Sequence, residues 1–210
     1  DPPTMSITIT VNDSPISGLE GKKVTSTLIR ERLLAEAETN VAISFNENDQ
    51  RDSFEIGGRG ELQLGVLVET MRREGFELAI SKPQVIQKDV DGEIHEPFEQ
   101  IVIDVEEIHQ GAVMEELGPR KAELQSMESD GKGRVKLEFI APSRGIIGFR
   151  SHFLTITSGT GIMTSVFDHY GPVKVGELAK RTNGVMYSMM AGKTLAYALF
   201  NLQNRGKLFL

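Results

Sequence analysis

The chain has no cysteine and no tryptophan in its 210 residues. Without cysteine there is no disulfide framework, no thiolate metal site and no thiol nucleophile. A reducing, cytoplasmic setting is the compartment this fits. No apolar run reaches the roughly 18 residues that a membrane helix needs. No charged-then-apolar leader opens the chain, so no secretory signal is expected. Histidine is scarce, with only His95, His109, His152 and His169. None has the H-x-x-x-H or H-E-x-x-H spacing of a zinc site, and each is expected to be a surface or packing residue. No G-x-S-x-G nucleophile elbow occurs. These absences leave no catalytic constellation.

What remains is ordinary globular material, 39% hydrophobic and 25% charged, with room for one large or two small domains. Net charge is −7 and uneven. Residues 174–210 hold six Lys or Arg and one acid, +5; the first 173 hold 17 bases and 29 acids, −12. A basic tail on an acidic body points one face at a polyanion. The chain opens Asp1-Pro2-Pro3 and closes Leu208-Phe209-Leu210. Both ends are expected to be cuts in a longer protein.

Two copies of one supersecondary pattern follow each other. Met5, Ile7, Ile9 and Val11 alternate as in a half-buried strand. Thr25 or Ser26 caps a helix to Asn40 carrying Ile29, Leu33 and Ala37. Strands are expected over Val41–Phe45 and Ser53–Gly57. A helix over Gly60–Glu74 carries Leu64, Leu67, Val68 and Met71, ends at Gly75 and leads to a strand over Phe76–Ile80. The second copy has a strand through Ile101, Ile103 and Val105 after a polar connector, Asp89–Glu96. Gly111–Ser129 reads as helix, broken at Gly118-Pro119. Arg134–Ile140 reads as strand, Ile146, Phe149 and Phe153 as a helix ended by Gly159 and Gly161, and Ile162–Phe167 as the last strand. The fold class is α+β: two ferredoxin-like β-α-β-β-α-β domains in tandem. Beyond them, Gly184–Met189 and Thr194–Leu202 are expected to be two strands of an incomplete β-rich domain, joined by a hairpin turn at Met190–Lys193.

Ala191-Gly192-Lys193-Thr194 imitates the end of a phosphate-binding loop, but the first glycine of that motif falls on Tyr187, so no nucleotide is expected here. The cations carry more. Arg59 lies between two glycines, which lets a ligand backbone come close. Arg144 precedes a helix N-terminus, where free N–H groups favour phosphate. Arg59, Arg144, Arg150, Lys132, Arg181, Lys193, Arg205 and Lys207 are the candidate nucleic-acid-binding residues. Replacing Arg59 or Arg144 by Ala is expected to weaken RNA binding with little loss of stability.

Longer wording carries a resemblance. Residues 1–43 and the run GGRGELQLGVLVETMRREGFELAISKPQVI resemble domain III of the BipA/TypA translational GTPases, in the elongation factor G-like superfamily. EPFEQIVIDVEEIHQGAVMEELGPRKAELQSM, PSRGIIGFRSHFLTITSGTG and FDHYGPV resemble domain V. RTNGVMYSMMAGKTLAYALFNLQNRGKLFL resembles the start of the family's own C-terminal domain. The resemblance implies boundaries of 1–90, 91–173 and 174–210. It implies a ribosome-associated parent GTPase acting in ribosome assembly and in stress- or cold-adapted translation. Its partners would be rRNA, ribosomal proteins and A-site tRNA, with no membrane or DNA partner. GTP and Mg would belong to a G domain absent from this stretch, which is therefore expected to have no cofactor and no catalysis of its own. The alternative, from another class, is a small-ligand regulatory module built from the tandem units.

Overall fold

The computed structural model describes residues 2–15, 17–48, 52–176, 178, 184–187, 192–202 and 205–209. The chain divides into two compact units, Asp1–Gly176 and Glu177–Leu210.

The first unit opens with β1 (Met5–Val11) and α1 (Ser26–Thr39). β2 (Ser44–Glu47), β3 (Ser53–Gly58) and α2 (Glu61–Arg73) follow, then β4 (Leu78–Ile80) and β5 (Gln84–Val85). Alternation in β1 turns Met5, Ile7 and Ile9 to one face, where α1 lays Ile29 and Leu33 and α2 lays Leu64, Leu67 and Met71. α2 stops at Gly75, whose φ of +88° suits a residue without Cβ. There Gly75 N–H donates to Arg72 O and Phe76 N–H to Met71 O, closing the last turn. The antiparallel sheet runs β2-β3-β1-β4, with β5 also on β1.

The same order returns in the following stretch. β6 (Lys88–Val90) and β7 (Glu93–Glu106) lead to α3 (Glu107–Leu117), β8 (Glu123–Ser129) and β9 (Arg134–Pro142). Two short helices, α4 (Ser143–Ile146) and α5 (Phe149–Ile156), precede β10 (Ile162–Pro172). The sheet runs β10-β7-β9-β8, with β6 on β7. Its core joins Ile101, Ile103 and Val105 of β7 to Leu137 and Phe139 of β9, and to Val113, Leu117, Phe149 and Phe153 of the helices. In both sheets the first strand of the β-α-β-β-α-β order lies inside, flanked by the third and fourth. That is the ferredoxin-like plan twice.

Four local expectations are corrected. The polar connector is a hairpin: Asp91 and Gly92, at φ 55° and 87°, turn β6 into β7. Residues 89–94 are exposed, while Glu96 at the connector's end is buried. The helix expected over Gly111–Ser129 ends at Leu117, and β8 takes its last third. A bulge between Leu124 and Ser126 breaks the period-two pattern that would have marked the strand. The helix after Pro142 is two helices, split at Gly148 (φ 73°). In the second unit, Thr194–Leu202 is not a strand. It contains α6 (Ala196–Leu202), and β11 (Gly184–Tyr187) pairs in parallel with β12 (Gly206–Phe209). Parallel neighbours need a crossover, so a helix replaces the hairpin. Met189 and Met190 lie outside the described residues.

One carboxylate holds the long loop after β1. Glu77 accepts the backbone N–H groups of Gly18, Glu20 and Gly21, each at 2.6 Å, and Asn12 Nδ2 at 3.4 Å. The amides of Gly18 and Gly21, then Glu20, hold its carboxyl below the usual range. A lowered folded value means that this tether is complete above the ordinary glutamate range and is lost as pH falls through the lower value. Glu77→Gln at neutral pH should therefore reproduce the acid behaviour. The amides of Gly18, Glu20 and Gly21 should lose hydrogen-exchange protection while those of β1 keep theirs.

Candidate nucleic-acid interface

Each candidate cation sits in a different local setting. Arg59 is exposed in the turn from β3 to α2. Its N–H donates to Gln63 Oε1 at 2.8 Å and its carbonyl accepts Thr4 Oγ1 at 3.3 Å. Of its two glycines, Gly58 is needed for packing, since a Cβ there would lie 3.0 Å from Leu64 Cδ2; around Gly60 the space is open. Arg150 is exposed on α5, with Nη1 3.3 Å from Met163 O. Lys132 tops the β8–β9 loop. Asp130 fixes that loop by accepting the N–H groups of Lys132 at 2.7 Å and Arg134 at 3.0 Å. Those two amides, Arg134 first, hold the Asp130 carboxyl below its usual range. Lys193 is exposed just before α6, and Arg205 is exposed just before β12. Arg181 and the side chain of Lys207 lie outside the described residues.

Two of these settings are brought together. The N–H of Gly148 donates to Glu61 Oε1 at 2.8 Å, and Ile147 packs against the core built on β1. The bond joins the start of α2, just after Arg59, to the start of α5, which carries Arg150. Ile147, with ψ 122°, ends α4, and the left-handed Gly148 starts α5.

Arg144 is different. It lies within α4 and turns inward. Its guanidinium pairs through Nε and Nη2 with Glu96, a side chain with no exposed surface, and Nη2 also reaches Lys174 O at 2.5 Å. Lys174 N–H donates to the same carboxylate at 2.8 Å. The expectation that Arg144 can be removed at little cost in stability is overturned: a buried carboxylate requires it. Exposed Arg72 and Arg73 are ion-paired with Glu69, and half-buried Arg134 with Asp104. Arg120 donates to Gly145 O at 2.8 Å beneath Phe149, and burial pushes its guanidinium down. Sequence reading missed Glu61 and Glu96, because their partners lie 87 and 48 residues away.

Among the described residues, no group of three His, Asp or Glu side chains is placed to hold a metal ion. No helix among them is long and apolar enough to cross a membrane.

Residues 93–181 match the family model described as Elongation factor G C-terminus. All 210 residues align at 57% identity with "Large ribosomal subunit assembly factor BipA" of Haemophilus influenzae, covering 34% of that protein. The proteins of the same name in Escherichia coli K12 and Buchnera aphidicola align over the whole chain at 55% and 49%, with 35% of each covered. Over its whole length the chain is similar to BipA proteins. It spans about a third of the length of the curated BipA relatives it matches. A solved protein from Thermus thermophilus superposes with a TM-score of 0.52 over 82% of this chain and 41% of its own, at 12% identity, a likeness of fold alone. The BipA match runs through both sheets and the β11–α6–β12 unit alike.

Arg144→Ala should leave Glu96 buried without its counter-charge and destabilise the fold by roughly 3–5 kcal/mol. Arg59→Ala, at an exposed turn, should cost no more than about 0.5 kcal/mol. Equilibrium urea unfolding of the two variants measures the difference.

Proposed function

We propose that this chain is a ribosome-binding part of a BipA-like translational factor, working in the cytoplasm in assembly of the large subunit and in translation under stress or cold. Identity of 49–57% over all 210 residues to part of proteins named large ribosomal subunit assembly factors carries this reading. Its contacts are to rRNA and ribosomal proteins, with A-site tRNA as a further partner. Arg59, two residues before Glu61, and Arg150, two residues after Gly148, form one contact to the RNA backbone beside the Glu61–Gly148 bond. Lys132, on its fixed loop, forms a second. Lys193, Arg205, Lys207 and Arg181 supply the contacts of the second unit. Arg144 is left out of the RNA-facing set, since it is the counter-charge of buried Glu96 and also bonds the Lys174 carbonyl. Nucleotide hydrolysis is not assigned to these residues: the sequence around Lys193 lacks the first glycine of a phosphate loop, with Tyr187 in its place. GTP and Mg belong, in this reading, to the G domain of the parent factor.

An acidic chain reaches RNA through a few aimed cations, and such binding weakens with salt because each neutralised phosphate releases counter-ions. The chain should co-sediment with purified large subunits at low salt. Its log affinity should fall against log salt with a slope of about −2 to −3, as for three or four phosphate contacts. Arg59→Ala and Lys132→Ala should each bring that slope closer to zero by about one. Absence of co-sedimentation at low salt, or a salt-independent affinity, would refute the reading.

A further inference from the structure

The end of β10 carries a feature that the backbone contacts above do not use. Val166 pairs with Gln100 and Phe167 with Glu99, but the next pair is His169 with Phe98, so Asp168 is bulged out of the ladder. Without the bulge Asp168 itself would stand opposite Phe98. With it, the imidazole lies on the Phe98 ring, centroids 5.1 Å apart and planes 6° apart. The displaced carboxylate turns back, and Asp168 Oδ2 lies 2.5 Å from His169 Nδ1. A carboxylate only accepts, so Nδ1 carries the hydrogen and the ring is locked in its plane. Gly171 completes the seat. A Cβ there would come within 3.1 Å of both His169 Nε2 and the Phe98 ring.

The ring is thus held from beneath by a buried Phe and at its edge by Asp168, yet the side chain keeps 52% of its surface exposed. A ring that only covered Phe98 would need no tether to its neighbour. Around it, strand alternation puts Val166, Gln100 and Thr164 on the same sheet face, all of them exposed. A flat, immobilised aromatic on an open antiparallel sheet, with an amide side chain beside it, has the chemistry of a base-stacking platform. We propose that His169, seated on Phe98 and tethered by Asp168, stacks an unpaired nucleobase of single-stranded RNA, with Gln100 in reach of the base edge. The proposal extends the RNA-binding reading above to a site and a ligand class, and it is measurable without the ribosome.

The probe is a short single-stranded RNA carrying one 2-aminopurine, whose emission is quenched on stacking. The chain has no tryptophan to interfere. Native protein should quench the probe saturably. His169→Ala should weaken binding by roughly five- to hundredfold, the range of losing one base stack. His169→Phe keeps a stacking face and should stay within about threefold of native. His169→Leu keeps the bulk over Phe98 without a stacking face and should behave like Ala, which separates recognition from folding. An absent quench, an Ala or Leu variant that binds like native protein, or a Phe variant that falls as far as Leu would overturn the proposal. Stacking releases no counter-ions, so the salt slope of ribosome co-sedimentation should be the same in His169→Ala. The two readings therefore fail separately.

Discussion

Glu96 imposes the constraint from which the second half of the first unit is built. A carboxylate with no exposed surface must be met by donors, since an unpaired buried charge costs several kcal/mol. The donors come from far along the chain, the guanidinium of Arg144 and the backbone of Lys174, 48 and 78 residues away. One point therefore fixes the early part of β7, the short helix α4 and the segment that leaves β10. Arginine suits the place because its fork meets both carboxylate oxygens and still has an N–H for the Lys174 carbonyl.

Most of the architecture could be read from spacing. Ile29 and Leu33, or Leu64, Leu67 and Met71, recur at helical intervals and do lie in one core. The alternation Val135, Leu137, Phe139 likewise belongs to a strand. What was illegible has separate causes. β8 is interrupted by a bulge, which destroys the period a strand is recognised by. The β6–β7 hairpin has polar flanks, although Asp91-Gly92 is a strong turn signal. The parallel pairing of β11 and β12 depends on a contact that no local pattern encodes. The interface divides the same way. That Arg59 and Lys132 occupy exposed turns follows from their glycine-rich surroundings. That Arg144 faces inward does not, because only the fold brings Glu96 to it.

Electrostatics and stacking divide the work of binding. Several acids are held in ion pairs, such as Glu36 and Glu74 with Arg32 and Glu47 with Arg30, which leaves the net charge unchanged. A net charge of −7 opposes a broad, sliding attachment to RNA. Affinity must then come from contacts that are few and sharply placed: cations on turns, and an aromatic face that meets a base rather than a phosphate. Such a surface favours one docked orientation over many weak ones.

Ile147 belongs by sequence to the second sheet's helices and by packing to the first sheet's core. Gly148, beside it, is bonded to the first half through Glu61. The seam between the halves is thus written in both. A hybrid that joins the first half of one family member to the second half of another would inherit a mismatched plug and socket. It would regain its fit only when the residues around Ile147 and Glu61 were carried across together.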